Sequence, residues 1–278
     1  PNSTWTGDDG FNVSNASVKE YGIIANNGYI HAVDRVVEPL ETIYTELKNK
    51  EKYSTFLDLY DSFGVYVADD ELSKSYAKAY GVDTLYQYQH GELPNIACEW
   101  PTSSYLNFTA LTALSYSIFA PSNTAINSFF DSFWKIGGYS SMQEVDALAL
   151  NYFLYQFIYG GSMLFPEELG DDELKNLAGS SLNINPAALN EKTMCVNGAL
   201  YGMDEIKEPS TFASVIGPLF QYKSARSFLY ALLGSSLFSS YVSDLSKYIV
   251  LVPTAEQFEA SGIRTVYSTQ GLEAEGDD

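Results

Sequence analysis

Basic residues are scarce in this sequence. Fifteen Lys and Arg stand against 35 Asp and Glu, for a formal charge of −20 over 278 residues. A nucleic-acid binder needs Lys and Arg to displace counterions from phosphates, so that class is set aside. Anionic membrane surfaces are disfavoured by the same sign argument. Cysteine is nearly missing. Cys98 and Cys195 are too few for a disulfide scaffold and have no metal-ligand spacing, which leaves either one bridge or two buried thiols. No apolar run approaches the roughly 20 residues that span a bilayer. The nearest, Ala110 to Pro121, is broken by Thr112, Ser115 and Ser117.

Chemical signatures are equally thin. Gly-x-Ser-x-Gly, His-Glu-x-x-His, Cys-x-x-Cys and a Gly-rich phosphate loop ending in Lys-Ser/Thr are all absent. Only two histidines exist to act as a base: His31 reads as a satisfied strand histidine, and His90, in a Gln-His-Gly-Glu stretch, as a solvated loop residue. The acidic clusters Asp8-Asp9, Asp69-Asp70-Glu71 and Asp171-Asp172-Glu173 lack the Asp-x-Asp-x-Asp-Gly alternation of a calcium loop, and read as turns and helix N-termini. The reading is therefore not an enzyme, with no catalytic, metal or cofactor residues assigned. Sequons at Asn2, Asn12, Asn15 and Asn107 occur at about chance frequency. The first residues, Pro-Asn-Ser-Thr-Trp, form neither a signal peptide nor a lipidation site, so the expectation is a mature form or fragment.

What is present is a folding composition, 46% hydrophobic and 18% charged. It is organised by an internal repeat. Asn27-Gly28-Tyr29-Ile30-His31-Ala32-Val33-Asp34 recurs as Asn197-Gly198-Ala199-Leu200-Tyr201-Gly202-Met203-Asp204, and Glu38-Pro39 recurs as Glu208-Pro209, all at an offset of 170 residues. Asn-Gly predicts a tight turn with φ > 0 leading into a strand, and the Pro predicts the opening of a helix. Leu40, Ile43, Tyr44 and Leu47 supply an amphipathic stripe after the first Pro; Phe212, Val215, Ile216 and Leu219 supply one after the second. Thr55-Phe56-Leu57 and Ser227-Phe228-Leu229 each open a further apolar helix. A second block, Tyr116-Ser117-Ile118-Phe119-Ala120-Pro121-Ser122, aligns with Tyr248-Ile249-Val250-Leu251-Val252-Pro253-Thr254 at an offset of 132. Thr254 and Gln257 have capping-box spacing. The offsets differ by 38 residues, which places an insertion at about 66–112. The domain reading is a tail fragment over 1–38, a complete unit over 39–208, and a head fragment over 209–278. The two fragments either close on each other as a second domain or belong to a longer chain.

Phe119-Ala120-Pro121-Ser122-Asn123 and Asn27-Gly28-Tyr29-Ile30-His31-Ala32-Val33-Asp34 resemble the two signature segments of the fasciclin (FAS1) domain. Leu154-Tyr155-Gln156-Phe157 resembles the segment between them, and Phe11 to Val18 resembles the strand that leads into the second signature. The resemblance implies an α+β fold, a β-wedge of about seven strands with helices packed around it. It also implies a non-enzymatic, extracellular adhesion or binding module. Gln156 stands where the family usually has His, which argues against an integrin ligand. The style of the sequence resembles bacterial surface lipoproteins, anchored at the outer membrane through a part outside this chain. The partner is then a protein or glycan at the cell surface, with no membrane span in the chain itself. The alternative is an accessory subunit of a larger outer-membrane complex, such as one for polysaccharide uptake.

The insertion is rich in aromatics with polar tips, which suit protein interfaces and sugar stacking. Tyr76, Tyr80, Tyr86, Tyr88 and Trp100 are candidate partner or glycan contacts, and Tyr155 and Gln156 join them by family position alone. Tyr76 and Tyr80 are spaced for one helix face. The competing reading packs these rings onto their own domain.

Overall fold

A computed structural model describes residues 12–14, 16–37, 39–97, 115–170, 173–182, 184–235, 237–242 and 247–274. Helices and strands are mixed throughout, an α+β arrangement. The chain forms two compact units, one of residues 1–123 and 157–205, the other of residues 124–156 and 206–278. This division by packing is a different partition from the repeat boundaries at 38/39 and 208/209. Cys98, Trp100, Asp8-Asp9, Asp171-Asp172 and the sequons at Asn2, Asn15 and Asn107 lie outside the described residues.

The first unit opens with an antiparallel ribbon, β1 (Asn12–Val13), β2 (Ala16–Ala25) and β3 (Gly28–Val33). Ala25 pairs with Gly28, so the two-residue turn is Asn26-Asn27 rather than Asn27-Gly28, and Gly28 is not left-handed. The ladder shifts register between Glu20 and Ile23, where Gly22 has a φ of +74° and its N–H donates to His31 Nδ1 at 3.3 Å. α1 (Ile43–Lys48) begins four residues after Pro39. The Thr42 side chain accepts from Thr45 N–H there, so a hydroxyl cap rather than the proline starts the helix. α2 (Ser54–Asp61) follows, and Ile43, Leu47, Phe56, Leu57, Leu59 and Tyr60 are buried along the two helices.

The insertion contributes a hairpin, β4 (Val65–Ala68) with β5 (Tyr86–Gln89), joined by a helical run over 70–80. That run is α3 (Asp70–Leu72), a π-helical stretch Ser73–Ala77, and α4 (Lys78–Tyr80), closed by Gly81 at φ +69°. Asp69 caps it by accepting from Leu72 N–H at 2.8 Å.

The core of this unit is a four-stranded sheet in the order β7-β6-β9-β8, with β6 at Tyr116–Pro121, β7 at Ile158–Gly160, β8 at Leu189–Cys195 and β9 at Gly198–Met203. β6 runs parallel to β9, from Tyr116 opposite Gly198 to Pro121 opposite Met203. Phe119 stacks on Tyr201 at 5.1 Å, and Phe157 meets Phe56 edge-on. Asn197, in the β8–β9 turn, accepts from Ile43 N–H at 2.9 Å and donates to the Ile96 carbonyl at 2.9 Å, tying the sheet to α1. Gly198 sits at φ +142°, and a Cβ on it would fall 1.9 Å from Tyr116 O. Only glycine lets the two backbones approach this closely. Cys195 is a free, buried thiol; burial pushes it well above the ordinary thiol range.

The second unit holds α5 (Asn123–Ser132) from its second residue, α6 (Ala147–Tyr155), α7 (Ser210–Ala213), α8 (Gly217–Gln221), α9 (Arg226–Leu233), α10 (Phe238–Val242) and α11 (Ala255–Ala260). A hairpin, β10 (Ile263–Val266) with β11 (Gly271–Ala274), completes it. The stripe expected after Pro209 buries Phe212, Ile216 and Leu219, but in two short helices. Pro218 starts the second, and Gly217 packs so near Phe212 O that no side chain fits. Phe129, Phe133, Trp134, Phe153 and Phe212 form an aromatic core, with Trp134 Nε1 donating to Phe220 O at 3.1 Å. Buried Tyr230 donates to Asp146, and Thr254 and Gln257 complete the expected capping box.

The described strands fall into sheets of three, two, four and two. The run Tyr248 to Pro253, aligned by repeat with β6, belongs to no strand.

Candidate functional site: the tyrosine hairpin and its Asp61–His90 pin

The ladder of the insertion hairpin places Tyr66 opposite Tyr88 and Ala68 opposite Tyr86. Alternate residues of a strand share a face, so Tyr66, Tyr86 and Tyr88 lie on one side of the hairpin. Tyr66 is 74% exposed and Tyr86 61% exposed. The Tyr66 and Tyr88 rings approach to 5.0 Å.

Tyr88 turns inward at its hydroxyl. It donates to Asp61 Oδ1 at 3.2 Å, and Tyr44 donates to Asp61 Oδ2 at 3.1 Å. His90 Nε2 stands 3.1 Å from Asp61 Oδ1, at donor distance from the carboxylate. Asp61 is the last residue of α2, so three donors from 44, 88 and 90 converge on one helix end. Gly64 makes room: a Cβ there would overlap the Tyr88 hydroxyl at 2.0 Å.

His90 is fully buried, not solvated. It is enclosed by the rings of Tyr44, Tyr60 and Tyr88, at 6.0, 4.8 and 4.9 Å. Its Nδ1 has no hydrogen-bond partner among the described residues. Burial disfavours the imidazolium more than Asp61 favours it, so the His90 pKa lies below the ordinary histidine value. Burial, then the bond to Asp61, pushes Tyr44 up to about 12; the same causes raise Tyr88. Neutral imidazole and protonated phenols around one carboxylate make a pin that fastens β5 to the end of α2. No Ser, Cys or Lys side chain among the described residues is hydrogen-bonded to the Asp61–His90 pair. No set of three or more His, Cys, Asp or Glu among them is placed to hold a metal ion.

The other expected residues are scattered. Tyr76 and Tyr80 are exposed on the helical run 70–80. Tyr155 and Gln156 belong to the second unit. Tyr155 packs edge-on against Tyr152, while Gln156 is buried and donates to the Tyr152 carbonyl at 3.1 Å, where a partner has little surface to touch. Sequence reasoning missed Tyr44, Asp61, Tyr66 and His90 as a group. The one available signal was the alternation Tyr86-x-Tyr88-x-His90, which continues a strand face into residue 90.

No protein-family model and no curated protein match this chain. Among solved structures it is similar to a FAS1 domain pair from the insect cell adhesion molecule fasciclin I, at 13% identity and a TM-score of 0.35. The match covers 69% of this chain and spans 60% of the length of that one. Among the described residues, no helix is long and apolar enough to cross a membrane.

Proposed function

We propose that this chain is a non-enzymatic binding module of the FAS1 type, displayed at a bacterial cell surface, that meets a glycan through the tyrosine face of its insertion hairpin. The observation that carries this reading is the exposure of Tyr66 and Tyr86 on the hairpin face that Tyr88 shares and anchors through its hydroxyl. Exposed rings on a rigid base offer apolar faces to sugar rings and hydroxyls at their rim, at low entropic cost. The signature segments support the family: Phe119-Ala120-Pro121 and Gly198 to Met203 lie side by side as the parallel strands at the centre of a sheet.

The test is an array of glucan, mannan and galactan oligosaccharides probed with the intact chain and with the double variant Tyr66→Ala/Tyr86→Ala. Binding to at least one class is expected, weakened tenfold or more in the variant, with the unfolding midpoint unchanged. An array left blank by the intact chain, or a variant that binds equally well, removes the hairpin from the role.

A further inference from the structure

β3 holds the repeat position of β9 but not its surroundings. β9 lies between β8 and β6 and is buried over its first five residues. β3 is the edge strand of its ribbon and is exposed over most of its length, with Tyr29 71% and Ile30 56% exposed. The segment aligned with β6 is in the matching condition: Ile249 is 94% and Leu251 84% exposed, and the run carries no strand. Their counterparts in β6, Ser117 and Phe119, are fully buried. An apolar strand edge and an apolar unpaired segment are each open to β-strand addition.

Glycine supplies an independent sign. Gly198 exists because the Tyr116 backbone lies against it; a Cβ would meet Tyr116 O at 1.9 Å and Tyr116 N at 2.7 Å. Gly28 occupies the same repeat position, yet a Cβ there meets nothing within 4 Å, and its φ requires no glycine. The position equivalent to Tyr116 is Tyr248.

The geometry points to the outer backbone edge of β3, which pairs with no strand among the described residues, as the docking site for the Tyr248–Pro253 segment of a second copy of this chain. The segment adds as a parallel strand in the β6–β9 register, with Tyr248 opposite Gly28, Val250 opposite Ile30 and Pro253 opposite Val33. The resident pair supplies the hydrogen-bond pattern: Tyr116 N–H donates to Asn197 O at 3.1 Å, so Tyr248 N–H donates to Asn27 O. Pro253 lacks an N–H and ends the added strand, as Pro121 ends β6. The contact joins the later part of one copy to the first strands of the next. Such a head-to-tail interface does not use the same patch twice, so copies add one to the next, closing into a ring where the rotation between them closes and extending as an open chain where it does not.

The experiment uses the intact chain. Sedimentation is expected to show species larger than the monomer that grow with concentration. Isotope-labelled Ile30→Cys mixed with unlabelled Val250→Cys, under mild oxidation, should give a 30–250 cross-link that joins labelled to unlabelled copies. The one-residue offset mixture, Ile30→Cys with Leu251→Cys, should give at least tenfold less. Gly28→Val, unhindered in the free ribbon, should keep the unfolding midpoint and lose the larger species. A chain that stays monomeric at high concentration and forms no 30–250 link overturns the proposal. So does a Gly28→Val variant that assembles like the original. A 30–250 link formed within single molecules of the double-cysteine variant at high dilution assigns the segment to its own chain, and also overturns it. If Gly28→Val misfolds, the register-specific cross-link decides alone.

Discussion

β8–β9 and β2–β3 are hairpins whose second strands are repeat copies, each opened by Asn-Gly and followed by Asp, and the chain surrounds them differently. Leu200 is fully buried where Ile30 is half-exposed, and Asn197 holds two backbone groups of other segments where Asn27 is exposed in a turn. Strand propensity and turn chemistry are enough to form the hairpin in both places. Burial comes from what lies across the far edge of the second strand, which is β6 for β9, whereas no strand among the described residues pairs there with β3. A repeated motif therefore carries different energetic weight at its two sites.

The sharpest way to break the comparison is at the glycines. Gly198→Ala forces a Cβ into the Tyr116 backbone from a left-handed position. Overpacking and backbone strain together should cost roughly 3–5 kcal/mol. Gly28→Ala, measured in dilute solution where copies are apart, should change stability by no more than about 0.5 kcal/mol. Urea titrations of both variants check this; equal losses would mean that β3 is already covered as β9 is.

A smaller difference is expected from truncating the apolar residue at the shared position. Leu200→Ala leaves a cavity between β6, β8 and the helices, at a cost of about 2–5 kcal/mol. Ile30→Ala removes a side chain already in water and should cost less than about 1 kcal/mol. The same urea midpoints measure it. At concentrations where the larger species form, Ile30→Ala should weaken assembly, which separates the edge's role between copies from its role within one.

The repeat made much of the local structure legible. It located β3 and β9, aligned β6, and marked α2 and α9 as apolar helices; the Thr254–Gln257 cap was readable from spacing alone. Its errors have local physical causes. Pro39 does not open α1 because Thr42 offers a better cap, and the stripe after Pro209 breaks because Gly217-Pro218 cannot continue the helix. The Asp61 pin was beyond reach for another reason. Its members come from α1, the end of α2, the strand β5 and the residue that follows it, and no spacing rule links residues 44, 61, 88 and 90 before the chain has folded. A histidine among Gln, Gly and Glu reads as solvated until the tyrosines that enclose it are placed.

That pin distinguishes a third hairpin from the other two: the Asn197 amide ties β8–β9 to its unit, whereas the polar groups that hold β4–β5 include a buried histidine. The His90 pKa is lowered in the folded chain, so between the folded value and the ordinary value near 6.5 the unfolded chain binds the extra proton. Stability tied to neutral His90 is therefore complete above about pH 6.5 and is lost as the pH falls through that window. The slope is at most about 1.4 kcal/mol per pH unit for one proton. Urea midpoints at pH 7.5 and 5.5 should differ in that direction, and His90→Gln should shrink the difference, although the variant is less stable at both values. Fluorescence of a probe on Ala68→Cys should report loosening of β4–β5 over the same window. An unchanged pH dependence in His90→Gln would place the acid-sensitive group elsewhere, and the hairpin would then depend on its ring contacts and the two tyrosine hydroxyls alone.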